Sequence, residues 1–198
     1  GNGGSVTISA PAANTLTYDG QGKPATVTAS ADWQGPAANT IKVSYTYGSG
    51  NPPTQLEGDA VPTNARTYTA EIAVGTGDNK ATASVTYTIG QQNLLVKAKG
   101  TMITYGDAPT HDGVEYTGFV NGKNRETSDL IGTLTYTYNY EQYGDVGNGN
   151  FTITPGGLTS NNYRIIFESG SLGVAKKTVS ITWSNVAERT YGDGKGEV

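Results

Sequence analysis

The chain has 198 residues, a net charge of −4, no cysteine and no block of lysine or arginine residues. The charge makes nucleic acid and anionic membranes poor partners, and the missing cysteines exclude disulfide frameworks and thiolate metal sites. The sequence has no apolar run long enough to cross a bilayer, so we expect no membrane insertion. A chain without cysteine but rich in glycine, threonine and tyrosine fits a bacterial extracellular protein better than a secreted animal domain.

The first half of the chain alternates between short strands and turns. The clearest alternation of apolar and polar residues places Ile41, Val43, Tyr45 and Tyr47 on one strand face. Strands are predicted at residues 6–9, 25–29, 41–47, 66–74 and 83–89.

The second half has the same character. Strands are predicted at residues 94–98, 114–117, 133–140, 150–154, 163–167 and 171–175. Pro155-Gly156-Gly157 predicts a turn, and residues 168–171 predict a hairpin between the last two strands. Residues 124–131 are compatible with a single helical turn.

Short strands with turn signals every 8 to 15 residues predict an all-β fold. We expect two tandem Ig-like β-sandwich modules, followed by the first strand of a third. The alternative is a pair of β-grasp-like units in which residues 124–131 cross one sheet as a short helix.

A tyrosine followed by a Gly/Asp pair occurs three times and defines a repeat. The copies are Tyr18-Asp19-Gly20, Tyr105-Gly106-Asp107 and Tyr191-Gly192-Asp193, and their tyrosines are separated by 87 and 86 residues. A period of that length indicates small tandem domains rather than a solenoid. We predict a first module at residues 5–91, a second at 93–176 and the truncated start of a third at 177–198, cut from a longer array.

The repeated motif has a structural interpretation. Glycine supplies a backbone conformation with positive φ, and aspartate bonds the backbone of the same turn. We expect the tyrosine ring to pack at the core edge with its hydroxyl on a backbone carbonyl. The joints at residues 90–92 and 176–177 are very short, which predicts a stiff, extended arrangement of modules whose partners are their neighbouring repeats.

The Tyr-Gly turns and the segment from Ile153 through Pro155-Gly156-Gly157 to Ile165 resemble the MBG repeats of bacterial surface proteins, in the type marked by a Tyr-Gly turn. The resemblance covers the second module and the segment from Thr178. The first module resembles a related extracellular repeat. The resemblance implies a non-enzymatic stalk or adhesion module at the bacterial cell surface or in a secreted protein.

The candidate ligand site consists of aromatic residues. Tyr136, Tyr138 and Tyr140 share one strand face, and aromatic faces of this kind stack on sugar rings or anchor protein interfaces. Trp33 lies in a turn, where a large ring is unusual. An alternative function is therefore a module that binds host glycans or host proteins through these four residues.

The sequence contains little that could perform catalysis or hold a metal. His111 is the single histidine, and no nucleophile elbow accompanies it, so no catalytic residues and no enzyme activity are predicted. Asp107, Asp112, Asp129 and Asp145 lack the spacing of a calcium loop. We therefore predict no metal site and no cofactor.

The segment 178–183 alternates like a strand, with Val179, Ile181 and Trp183 in phase. A lone strand cannot bury these side chains or satisfy its backbone groups. We expect it to dock by strand pairing on the second module or on a neighbouring molecule.

Overall fold

The computed structural model describes residues 3–75 and 80–183. Over these ranges the regular structure consists of thirteen strands and two three-residue 3₁₀ helices, at Ala13–Thr15 and Ala38–Thr40. The all-β prediction is therefore confirmed.

The first unit contains six strands: β1 (Val6–Ser9), β2 (Thr26–Ala29), β3 (Ser44–Tyr47), β4 (Thr54–Gln55), β5 (Thr67–Val74) and β6 (Ala81–Thr88). Strands β1 and β2 form an antiparallel pair, and the other four form an antiparallel sheet in the order β4-β3-β5-β6. Tyr45, Ala70 and Tyr87 form the centre of the core between them. The Tyr87 hydroxyl donates to the Lys23 carbonyl at 2.7 Å, so the core tyrosine also holds a loop in place.

The second unit contains seven strands: β7 (Gln92–Ala98), β8 (Thr101–Thr104), β9 (Val114–Thr117), β10 (Ile131–Tyr138), β11 (Asn150–Thr159), β12 (Tyr163–Glu168) and β13 (Gly170–Ala175). One sheet has the order β12-β7-β9, and the other has the order β10-β11-β13-β8. Strands β12 and β7 pair in parallel, as do β13 and β8.

These parallel pairs orient the whole unit. The chain passes from one sheet to the other between β7 and β8 at its start, and between β12 and β13 at its end. The first segment of the unit, β7 followed by β8, runs beside and parallel to its last segment, β12 followed by β13. The chain therefore enters the unit at one end and leaves it at the other. This direction is what allows one unit to follow another end to end.

Two predicted features of the second unit are wrong. Residues 168–171 do not form a hairpin, because β12 and β13 belong to different sheets. Pro155-Gly156-Gly157 lies inside β11 rather than in a turn, and the facing strand β10 has a register shift between Gly132 and Thr135. Residues 124–130 form turns with one bond of helical spacing, from the Ser128 amide to the Asn124 carbonyl at 3.0 Å, so the predicted single turn is compatible with the structure. They do not form a helix that crosses a sheet, and the Ig-like sandwich topology is not confirmed.

The expected strand at residues 178–183 is also absent from the structure. Val179, Ile181 and Trp183 are exposed, and this segment makes no strand pairing with the second unit. Pairing with a neighbouring molecule stays a prediction, and residues 184–198 lie outside the described ranges.

A substitution at Gly170, where the chain passes from β12 to β13, tests how much close backbone packing at this crossing contributes to stability. A Cβ atom added at Gly170 would meet the Ala98 carbonyl group and lie 3.1 Å from the Lys99 carbonyl oxygen. We expect Gly170→Ala to lower the free energy of unfolding by about 1–3 kcal/mol, because backbone must shift to make room. Urea unfolding at neutral pH measures the change.

Gly100→Ala is the matched control at the equivalent point between β7 and β8. A Cβ there meets nothing nearer than the Ser171 carbonyl oxygen at 3.6 Å. We expect this variant to stay within about 1 kcal/mol of the wild type, on either side. Equal destabilisation by both substitutions would contradict the assignment of close backbone packing to Gly170 alone.

Candidate functional site: the joint between the two units

The two units share one hydrophobic cluster, although each also has a core of its own. The first unit contributes Tyr18, Tyr68 and Ile89 to the shared cluster. The second unit contributes Leu94, Val96, Leu130, Leu158 and Tyr163. Only three residues separate β6 from β7. Apolar side chains next to this connection, on both units, are therefore buried in the shared cluster.

Three aromatic rings form the centre of the joint. Tyr18 of the first unit and Tyr163 of the second pack edge to face, with ring centroids 5.4 Å apart and an interplanar angle of 81°. Phe119 packs on Tyr163 in the same manner at 5.5 Å. The hydroxyl of Tyr163 accepts a hydrogen bond from the Val120 amide at 3.2 Å. Such pairs add about 0.5–1.5 kcal/mol each beyond the area they bury.

Asn162 connects the two units through hydrogen bonds. Its Oδ1 accepts from the Ala65 amide at 2.8 Å, and its Nδ2 donates to Asn64 Oδ1 at 3.1 Å. Its own carbonyl accepts from the amide of Gln92 at the start of β7 at 3.0 Å. Because Asn162 is only 5% exposed, losing these partners would leave buried polar groups unpaired.

Asp129 holds the loop that carries Asn162. Its Oδ1 accepts from the Ser160 hydroxyl at 2.6 Å. Its Oδ2 accepts from the amides of Asn161 at 3.0 Å and Asn162 at 2.9 Å. Because the Asp129 carboxylate accepts three hydrogen bonds from residues 160–162, the loop is held in place by its own unit.

The motif tyrosine makes the same backbone hydrogen bond in both described copies. The amide of Tyr18 donates to the Gly90 carbonyl at 2.8 Å, and the amide of Tyr105 donates to the Ala175 carbonyl at 2.8 Å. Gly20 has φ 81° and Gly106 has φ 103°, the conformations that favour glycine. The third copy, Tyr191-Gly192-Asp193, lies outside the described residues.

The aspartates of the motif also bond their own turns. Asp19 Oδ1 accepts from the Gln21 amide at 2.9 Å, and Asp107 Oδ2 accepts from the Thr104 amide at 3.0 Å. The predicted bond from the tyrosine hydroxyl to a carbonyl is replaced in both copies by the bond from the tyrosine amide. The motif therefore ties the start of each unit to the end of its last strand.

The predicted aromatic face is not an open platform. Tyr136 and Tyr138 are half-buried and pack against the second unit's own core, and the ring of His111 stacks on Tyr136 at 3.5 Å. Tyr140, which alternation groups with these two residues, is only 4% exposed. Strand β10 ends at Tyr138, and Tyr140 then packs against Phe151 with ring centroids 4.8 Å apart.

Trp33 is not brought to these tyrosines. It lies in the first unit after β2, where its indole Nε1 donates to the Pro36 carbonyl at 2.8 Å and the ring covers its own loop. The structure thus divides the predicted ligand-binding residues between two units, and no described contact joins them.

An ion pair between a buried lysine and a half-exposed aspartate was not predicted from the sequence. Lys23 Nζ lies 2.7 Å from Asp19 Oδ2, and its side chain is almost fully buried. The hydrogen bond from Lys23 holds the pKa of Asp19 below its ordinary value, so the carboxylate stays charged at neutral pH. The spacing of four residues across the Asp-Gly turn is the signal that would have identified this pair.

Other features of the described ranges bear on the class of site. No group of three or more His, Cys, Asp or Glu side chains at residues 3–75 and 80–183 is arranged to hold one metal ion. Over the same residues, no helix has both the length and the hydropathy required to span a bilayer.

Comparison with known proteins identifies the second unit. Residues 94–173 match the family model of the MBG domain (YGX type), and this unit is an MBG domain. Domains of this type are non-catalytic modules typical of repeats in extracellular bacterial surface proteins. A search of curated proteins found no match to the chain. The first unit is not identified by any of these comparisons.

The joint can be tested by removing the side chain of Asn162. We expect Asn162→Ala to lower the free energy of unfolding by about 1–3 kcal/mol, because the partly buried Ala65 amide loses its acceptor. Calorimetry should also show the two units unfolding in better separated transitions than in the wild type.

Asn161→Ala is the matched control, because the Asn161 side chain is exposed and only its backbone takes part in the joint. Its effect should stay within about 0.5 kcal/mol. If the two alanine variants unfold alike, the side chain of Asn162 does not couple the units.

Alkaline pH tests the burial of Tyr18. Burial raises the pKa of Tyr18 above its usual value, and the nearby Tyr163 and Asp129 raise it further. Between the unfolded pKa of about 10 and the higher folded pKa, the folded chain keeps a proton that the unfolded chain has released. Its stabilising contribution is thus complete below pH of about 10 and is lost as the pH rises through the folded pKa.

We therefore expect Tyr18→Phe, which cannot ionise, to lose stability less steeply above pH of about 10 than the wild type does. Urea midpoints at a series of pH values from neutral to strongly alkaline measure the two slopes. Identical slopes would show that the Tyr18 hydroxyl ionises as easily in the folded chain as in the unfolded one.

Proposed function

We propose that this chain, whose residues 94–173 are an MBG domain, is a structural spacer in a bacterial surface protein. Its role is to hold a distal binding region away from the cell. The class of domain supports the extracellular setting, and the geometry of the joint supports the mechanical role. No catalytic or cofactor-dependent role is proposed.

The fixed joint is the observation that carries this proposal. A spacer that projects a distal region must resist bending, and bending at the joint would separate Tyr18 from Tyr163 and break the bonds of Asn162 to the first unit. It would also expose side chains of the shared cluster, at a cost of about 25 cal/mol for each Å² of apolar surface. Large, apolar interfaces between domains restrict the motion of one domain relative to the other.

The path of the chain supports the same role. In the second unit the first two strands, β7 and β8, are parallel neighbours of the last two, β12 and β13, so the chain advances by one unit length from its start to its end. In the first unit, a parallel bridge between Thr17 and Gly90 gives the same relation. A series of such units gains length with every repeat, which is what a spacer requires.

The alternative, a module that binds glycans or host proteins through exposed aromatic residues, gains little from the structure. Tyr140 is part of the core, one face of Tyr136 is covered by His111, and Trp33 lies in the other unit. Adhesion through these residues stays a prediction without a supporting contact.

The absence of cysteine from the sequence makes a direct test practical, since two introduced cysteines can be labelled without interference. Lys42→Cys and Lys99→Cys place spin labels at exposed positions in the two units. We expect pulsed electron paramagnetic resonance to give one narrow distance distribution, because the joint fixes the units. The same labels on a background of Tyr18→Ala and Asn162→Ala should give a broad distribution.

Asn161→Ala serves as the control background and should keep the narrow distribution. A broad distribution in the otherwise unaltered chain would mean that the joint bends freely, and the spacer proposal would fail.

A further inference from the structure

The end of the second unit that faces away from the first carries an exposed aromatic cleft. Tyr105 and Tyr143 line it together with Val146, Lys176 and Val179, and its volume is about 630 Å³. The two tyrosine rings pack edge to face with centroids 6.3 Å apart. Tyr105 is 37% exposed and Tyr143 is 68% exposed, so the rings protect each other only in part.

Tyr143 is also held in an unusual backbone conformation. Its φ is 67°, in the left-handed region that a residue with a bulky side chain rarely adopts. Strained residues of this kind persist where the surrounding structure fixes them, and they cluster at ligand clamps and other functional sites. Here the exposed ring of Tyr143 lies beside Tyr105 at the open end of the unit.

The same position in the first unit is covered. Thr17 pairs in parallel with Gly90, and Thr104 pairs in parallel with Ala175, so Tyr18 and Tyr105 follow equivalent strand ends. Tyr18 is only 5% exposed, because Tyr163 of the following unit packs on its ring. Tyr105 occupies the equivalent place and is 37% exposed.

The pattern of apolar residues after Ala175 matches the pattern after Gly90. Counting four, six and eight residues on from Gly90 reaches Leu94, Val96 and Ala98, which are fully buried in the second unit. The same count from Ala175 reaches Val179, Ile181 and Trp183, which are 72%, 70% and 80% exposed. The second set repeats the inward-facing pattern of β7 without a core to enter.

We propose that the cleft around Tyr105 and Tyr143 is the docking surface for a further β unit of the same kind, whose first strand begins near Thr178. Its occupant is the loop end of that unit, which presents an aromatic ring to Tyr105 as Tyr163 does to Tyr18. Docking covers both tyrosines and brings Val179, Ile181 and Trp183 into the core of the new unit.

This inference builds on the proposed spacer, and its test can fail without the spacer failing, because the first joint is measured separately. The probe is a second copy of residues 93–176 attached directly after Lys177, so that it follows the second unit through a joint equivalent to residues 90–92. The attached copy carries its own Asn162-Tyr163 loop to the cleft.

Thiol reactivity reports whether the cleft is covered. Asp145→Cys places the single thiol of the chain in the cleft, and Asp112→Cys places it at another exposed site on the same unit. We expect the attached copy to slow labelling at D145C by about tenfold or more, because the closed joint must open before the reagent enters. Labelling at D112C should not change.

Variants of Tyr105 and Tyr143 then test whether these two rings make the contact that covers the cleft. Tyr105→Ala with Tyr143→Ala should restore fast labelling at D145C in the extended chain, while exposed Ile131→Ala should not. Unchanged labelling at D145C after the copy is attached, whether or not that copy folds, overturns the proposal. Protection that arises in the 198-residue chain alone as its concentration rises also overturns it, because the occupant would then be a second molecule.

Discussion

The parallel pairing of the first segment of the second unit (β7 and β8) with its last segment (β12 and β13) is the constraint on which the rest of the structure depends. It places the two chain ends of the unit at opposite poles, so that the next unit must begin where this one ends. It also brings the motif tyrosine beside the end of the last strand, where the tyrosine amide bonds the final carbonyl. The start and end of each unit are thereby closed by one hydrogen bond, at the place where the neighbouring unit makes contact.

Tyrosine suits this position because its ring is apolar while its hydroxyl and amide are not. Tyr18 buries its ring in the joint, whereas Tyr45, Tyr68 and Tyr87 use their hydroxyls to hold loops around the first core. A chain without disulfides must stabilise many short strands and long loops by burial and hydrogen bonds alone. Side chains that do both at once explain why tyrosine outnumbers phenylalanine thirteen to three.

The alternation of apolar and polar residues predicted most of the strands. The features that were not predicted depend on pairing between residues far apart in the sequence. Strands β1 and β9 lie at the predicted residues because alternation alone defines them. The predicted hairpin at residues 168–171 was wrong, because the partner of β12 is β7, about seventy residues earlier in the chain. Alternation also grouped Tyr136, Tyr138 and Tyr140, but it cannot tell which face of a strand is covered. Asn162 could not be found from composition, since its role depends on Asn64 and Ala65 in the other unit.

The joint also explains how units with few charged residues contact each other in one defined orientation. The second unit has two different end surfaces, the loop of Asn162 at one end and the turn of Tyr105 at the other, and the Asn162 loop meets the Tyr18 turn of the first unit. The contact between the units is therefore heterologous. A heterologous contact that does not close on itself adds units along a line, and the covalent chain ensures that each added unit is the next in sequence. The exposed end of the second unit therefore has a shape and a register that the first joint already defines, with Tyr105 in the place of Tyr18 and Ala175 in the place of Gly90.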